Sequence, residues 1–380
     1  MQIKNPLMVI KKSGTPSTGE FLVQVIDYDG TILKSANLNT GDTFTLPASP
    51  THEGLTFQEW SSPVTITNNM VTVGDSDITI GATYKTTSGL TELDITLTNK
   101  SGLTVSLNLW SHGDIDWGDG TTSTTTTHTY TELGNYTIKI AGLTKLLQYI
   151  LNQSNTTNNR GYILTAVRLA ETIKIFDDYV FYKCNSLKYI TIPSGVTSIG
   201  NYTFQYCYSL TSVVIPSGVT SISDSAFQYC YSLTSIVIPS GVTSIGNTAF
   251  QNCYSLTSIV IPSSVTSIGN TAFQNCKALK SITIPSGVTS ISDSAFSLCS
   301  VLKSVTIPSG VTSIGKYAFR SCYLIRQYDF STFTKVPTLA NTNSFSEINE
   351  NCIIKVPNAL FESWKTATNW ATYADYMVGV

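Results

Sequence analysis

Charge is what this sequence has least of. Asp, Glu, Lys and Arg make up 12% of the 380 residues and the formal net charge is -2, so no basic field draws in a polynucleotide or an anionic membrane surface. Nucleic acid is excluded as a partner. No apolar run approaches the roughly 18 residues of a membrane span, which excludes membrane insertion. The opening segment, from Met1 to Lys12, has too short an apolar patch for a signal-peptide core. Export by another route, a removed signal, or no use of a secretion channel is therefore expected. Histidine is also scarce, with three residues. His112 and His128 flank one turn, but neither has a second histidine at metal-ligand spacing, which argues against zinc.

What is abundant is Thr, Ser, Ile, Val, Gly and Tyr, the residues of strands and turns, and they are arranged periodically. Cys184, Cys207, Cys230, Cys253, Cys276, Cys299 and Cys322 recur every 23 residues. Phe181 to Phe319 and Pro193 to Pro308 keep the same step. Within one unit, Leu256, Ile259 and Ile261 have the spacing of a strand with one buried face, and Val265 and Ile268 follow in a second short extended piece. Phe273 and Cys276 then fall on one face of a predicted single helical turn. A unit this short cannot bury its apolar side alone, so units must stack into a parallel solenoid, strand on equivalent strand. The degenerate first coil from Leu164, where Ala170 replaces the proline, and the atypical sequence after Tyr323 read as caps.

The pattern L-x-x-I-x-I-P-x-x-V-x-x-I-x-x-x-A-F-x-x-C, in phase from 164 to 323, resembles the BspA-like class of leucine-rich repeats. The tail from Ile354 to Asp375, with a short helix expected near Ala359 to Thr366, is similar to that family's closing segment. The resemblance implies adhesion, since such repeats occur on surface proteins that bind matrix proteins or other cells.

Two small β blocks precede the repeats. His52-Glu-Gly-Leu-Thr-Phe-Gln-Glu-Trp60 resembles the core of the Listeria–Bacteroides repeat, a β-grasp-like surface module, with Leu55 and Glu59 departing from its pattern. In the same block, Val25-Ile-Asp-Tyr-Asp-Gly-Thr-Ile-Leu33 resembles the nucleophile motif of haloacid dehalogenase phosphatases. That chemistry needs an α/β domain, a lysine for the phosphoryl charge and a distant acidic motif for magnesium. Val73-Gly-Asp-Ser-Asp77 mimics the acidic motif but follows too closely, and Asp27 and Asp29 are expected to shape a hairpin turn. Further on, Ile115-Asp-Trp-Gly-Asp-Gly-Thr-Thr122 and His128-Thr-Tyr130 through Tyr136-Thr-Ile-Lys-Ile140 resemble signatures of polycystic-kidney-disease-type immunoglobulin-like domains, a shortened spacer or contact module. The expected division is 1–88, 89–144 and 145–380.

Asp114, Asp116 and Asp119 suggest a calcium loop, yet they are out of step with an EF-hand and Thr125 stands where its bidentate Glu belongs. Turn formation is the competing reading and the preferred one. The cysteine column suggests disulfides or metal, but equivalents in a stack lie in single file, so buried free thiols are expected. Cys352 lies outside the column.

Tyr206, Tyr208, Tyr229, Tyr231, Tyr254 and Tyr323 flank the repeat cysteines and should line up outward. They either contact a partner, as aromatics do at interfaces, or merely stack on one another. A second outward line runs through Thr191, Val214, Val237, Val260, Thr283 and Thr306. Between Tyr189 and Cys276 the only charged residue is Asp224, so this face has no acid/base pair with which to run a reaction.

The expectation is a mainly β, non-enzymatic recognition protein without cofactor or metal, whose partner is a protein or glycan on a cell or matrix surface. Its location would be extracellular or on the cell surface. The alternative is a virion structural or receptor-binding protein of a bacteriophage, with residues 1–20 as assembly anchor.

Overall fold

A computed structural model describes residues 21–74, 77–98, 104–150 and 162–380. The proposed anchor at 1–20 and the acidic pair position Asp75 lie outside the described residues. Six strands build the first block: β1 (Phe21–Ile26), β2 (Ile32–Leu38), β3 (Thr43–Thr45), β4 (Leu55–Ser61), β5 (Met70–Thr72) and β6 (Ile78–Thr86). Four form a mixed sheet in the order β2-β1-β6-β4, with β1 and β6 parallel at its centre, and β3 pairs with β5. Alternation places Val23, Val25, Ile78 and Ile80 inward, where they pack with Phe44, Leu46, Val71 and Val73 as a core of their own. The tight turn from Thr67 to Met70 that leads into β5 is closed by Asn68 and Asn69, both at positive φ, a conformation Asn tolerates.

The second block does not end where the repeats begin. Strand β7 (Thr91–Leu97) pairs on one side with Gly134–Ile140 and on the other with Tyr162–Arg168, which in turn pairs in parallel with Tyr189–Thr191. One sheet thus runs across the expected boundary at 144/145, and one core extends from Leu93 to Met377. Arg168 fastens this junction, with Nε 2.8 Å from Glu92 and both terminal nitrogens 2.7 Å from Asp94.

The chain then winds through a parallel β-solenoid of about nine turns. A typical coil buries Leu, Ile, Ile, Val, Ile, Ala, Phe and Cys at the repeat positions, most of them 0–4% exposed. The segment carrying Phe and Cys is not the helical turn expected. It is a run of tight turns in which Thr271 and Asn275 adopt positive φ. Alternate amides therefore point along the axis: Thr271, Phe273 and Asn275 donate to the carbonyls of Asp293, Ala295 and Ser297 in the next coil. Stacking satisfies backbone groups that a lone helical turn would leave to water.

After the last repeat, strands Gln327–Asp329, Ile353–Val356 and Met377–Gly379 extend the stack in parallel. A 3-10 turn at Asn358–Leu360 and a short helix at Phe361–Thr366 sit where the tail helix was expected. Trp364 and Trp370, both fully buried, close the apolar end against Phe330 and Phe345.

Candidate functional site: the exposed faces of the solenoid

The first block lies on the strand face of the early coils. Strand β6 crosses it at Gly81, where an added Cβ would stand 2.5 Å from one Val214 methyl and 3.0 Å from Val237. Ile26 packs with the same two valines. Polar contacts surround them: Ser212 Oγ donates to the Tyr28 carbonyl at 2.9 Å, Ser61 Oγ to Ile215 O at 2.5 Å, and Ser240 N to Ser62 O at 2.8 Å. Ser217 donates to the Glu59 carboxylate, and Tyr28 meets Tyr189 edge to face. Val214 and Val237, read from sequence as an outward binding line, are therefore covered, at 4% and 1% exposure. Thr191 is buried as well. Alternation along a strand identifies which residues leave the solenoid core, but not what lands on them. Val260 is half-buried, and Thr283 and Thr306 are open.

The tyrosines occupy a different edge and form two columns. Tyr206 stacks on Tyr229 at 4.7 Å; Tyr208, Tyr231 and Tyr254 stack at 4.8 Å with nearly parallel planes. The columns meet edge to face through Tyr206–Tyr208 and Tyr229–Tyr231. All five rings are half-buried. Lys277, next in the outer column, places its ammonium 4.8 Å over Tyr254. Tyr323 is separated from them by Lys277 and Ser300 at the intervening positions, and its hydroxyl donates to Glu347. Rings at van der Waals stacking distance stabilise one another and present a flat, amphipathic edge.

Beneath the tyrosines all seven column cysteines are buried, and each from Cys207 to Cys322 donates its S–H to a phenylalanine carbonyl at 3.2–3.3 Å. Burial pushes Cys184 and Cys299 up to about 12, and Cys352 to about 11, so the thiolate that would attack or ligate is suppressed.

Two side-chain ladders escaped the sequence reading. Asp178, Asn201, Asp224, Asn247, Asn270 and Asp293 each accept, through Oδ1, the amide of the equivalent residue one coil on, at 2.7–3.1 Å. Gln205, Gln228, Gln251 and Gln274 form an amide chain. The 23-residue recurrence of Asp/Asn after Ile-Gly or Ile-Ser was the available signal.

The catalytic motif resolves into a turn. Gly30 N donates to Asp27 O and Asp29 Oδ1 accepts from Thr31 N, closing the β1–β2 hairpin, while Asp27, 3% exposed, holds His52 at 2.7 Å. In the second block Asp116 and Asp119 are equally engaged, while Asp114 accepts the Ala141 amide at its backbone carbonyl. Asp116 accepts from Gly118 N, and Asp119 accepts from Thr121 and contacts His128 Nε2 at 2.7 Å. Slight burial raises the Asp119 carboxyl, but the Thr121 and His128 hydrogen bonds outweigh it and hold it below the ordinary value. His128 stacks on buried Trp117, whose carbonyl accepts from Tyr130, so the two signature phrases form one packed corner. Among the described residues no group of three or more His, Cys, Asp or Glu is placed to hold a metal ion. No described helix is long and apolar enough to cross a membrane.

Six copies of the BspA type leucine rich repeat region match over residues 156–280 and 243–366, together more than half of the chain. The chain belongs to this family. Among solved structures, a leucine rich repeat protein of T. pallidum is 32% identical, over 45% of this chain and 86% of its own, with a TM-score of 0.40. A leucine-rich repeat protein from Bacteroides ovatus is 23% identical, over 53% and 68%, with a TM-score of 0.37. A leucine rich cell surface protein from Faecalibacterium prausnitzii is 24% identical, over 58% and 78%, with a TM-score of 0.33. Comparison with curated proteins finds no match.

Proposed function

We propose that this BspA-type leucine-rich-repeat protein is a non-enzymatic recognition protein that acts outside the cell or on its surface, binding a protein or glycan there. The observation that carries the reading is the pair of stacked tyrosine columns. Five half-exposed rings form one continuous edge, on coils whose one carboxylate, Asp224, accepts the Asn247 backbone amide. Such an edge offers large rigid contact area at little entropic cost and no acid/base pair. In this reading the first block is a Listeria–Bacteroides-type module and the second a polycystic-kidney-disease-type module. The Trp117–His128–Tyr130 corner supports the latter. The N-terminal module covers the early strand face and leaves the tyrosine edge and the later strand face for a partner.

The test is binding of the full chain to arrayed matrix proteins and glycans, followed by Tyr208→Ala, Tyr231→Ala and Tyr254→Ala combined. A contact surface loses more than about 2 kcal/mol of affinity while the folded fraction holds. If the rings only stack, the unfolding midpoint falls and affinity per folded molecule stays, which would sink this choice of surface.

A further inference from the structure

Among the described residues the N-terminal block stops short of the later coils. Asp77 lines a cleft with Ser258–Ile261 and Ser281–Thr283. Beyond that cleft the strand face is open, and its chemistry changes. At the position just before each strand, coils three to five carry Thr211, Thr234 and Thr257; the next three carry Lys280, Lys303 and Arg326, at the 23-residue step. All three cations are exposed. Lys303 N donates to Lys280 O, so these two side chains leave the sheet one strand spacing apart. None of the three makes an ion pair among the described residues. Two carboxylates stand on this face, Asp77 and Asp329, and accept from the amides of Leu22 and Ser331. Next to the cations run two hydroxyl rows, Ser281 with Ser304 and Thr283 with Thr306, each pair in register.

Like charges stacked in file repel one another. In a chain of net charge -2, three successive cations that make no ion pair among the described residues, on a face the described N-terminal module leaves open, call for an anionic occupant. The neighbouring hydroxyl rows select among anions. An acidic pyranose chain carries hydroxyls on every ring beside its charged groups, so it engages the Ser and Thr rows together with the cations, which the carboxylates of an acidic peptide do not. We infer that the open strand face of the last coils binds a linear acidic polysaccharide, its carboxylates or sulfates along Lys280, Lys303 and Arg326 and its hydroxyls on Ser281, Ser304, Thr283 and Thr306. This rests on the reading of the chain as a recognition protein and names the ligand class.

The experiment measures binding of the full chain to immobilised heparin and to polygalacturonate across a salt series. Lys280→Glu, Lys303→Glu and Arg326→Glu combined are compared with Lys174→Glu, Lys316→Glu and Lys335→Glu, an equal charge change elsewhere. At least a tenfold loss is expected for the first triple and less than twofold for the second, with circular dichroism unchanged. Equal losses in both, no binding to either polymer, or tighter binding to poly-glutamate of matched charge would each overturn the proposal. The tyrosine triple serves as a separate arm. Glycan binding lost there but not on the strand face removes this site and keeps the recognition reading; matrix-protein binding without glycan binding does the same.

Discussion

At the residue scale, one alternation inside the repeat decides how tightly coils pair. Gly200, Gly246, Gly269 and Gly315 follow the third Ile position of the repeat; Ser223 and Ser292 stand at the same position in two further coils. A Cβ at Gly246 would lie 2.5 Å from Asp224 Oδ1 and 2.7 Å from its amide nitrogen, in the preceding coil. Each glycine donates its amide to the coil before, Gly246 to Ile222 O at 2.8 Å; Ser223 uses its hydroxyl instead, to Ile199 O at 2.6 Å. The pairings follow. Ser221, Ser244 and Ser267 form one ladder and Ser290, Ser313 and Thr338 another, with breaks between Ser198 and Ser221 and between Ser267 and Ser290, each where a Ser coil begins. Gly246→Ser is therefore expected to break the first ladder at its centre and cost about 1–3 kcal/mol by overpacking. Ser292→Gly should raise amide protection across 267–290. Native-state hydrogen exchange reads both; unchanged protection in the two variants would show that the Cβ is not what separates the coils.

At the scale of elements, the junction of β7 with the first coil carries a pH dependence. Half-burial raises the Asp94 carboxyl, yet the bonds from Arg168 and Thr137 outweigh it, so its folded value lies below the ordinary 3.8. A depressed carboxylate contributes stability that is present above 3.8 and lost as pH falls through the lower folded value. Asp94→Asn should thus be less stable than wild type at neutral pH, by roughly 2 kcal/mol for a pair that is neither fully exposed nor fully buried. The deficit should shrink as pH drops below 3.8; a gap that stays constant on acid titration of the unfolding midpoint would refute the linkage. This junction also marks where the sequence stopped being readable. The repeat register, the buried Phe and Cys columns and the tail helix were legible because each is a local period or spacing. That Thr91–Leu97 pairs with Tyr162–Arg168 was not, since antiparallel pairing over 71 residues leaves no periodic trace. The Phe–Cys turn was misread because spacing by three fits both a helical turn and alternating tight turns, and only the positive φ at Asn275 and its equivalents separates them.

At the scale of the whole molecule, the tyrosine edge could be named from sequence while the covered valines could not, because covering is a property of two modules together. The first block has its own core around Val25 and Ile80, and its contact with the solenoid is a distinct interface centred on Gly81. Gly81 is the close approach on which docking depends: the nearest atoms an added Cβ there would meet belong to Val214 and Val237. Gly81→Leu should leave both modules folded and lift the first from the second, since accommodating the added atoms costs about 1–3 kcal/mol and the hydrogen bonds from Ser61 and Ser212 then lose their geometry. The expected readout is a larger radius of gyration in solution scattering, with faster proteolytic cleavage between Thr87 and Leu90 and an unchanged far-ultraviolet spectrum. Gly74→Leu, where nothing lies within 4 Å, is the control and should change neither. An undisplaced module in Gly81→Leu would mean that the Val214 and Val237 side chains yield to it, and that the polar rim of Ser212, Ser217 and Ser240, rather than the glycine contact, sets where the first block rests.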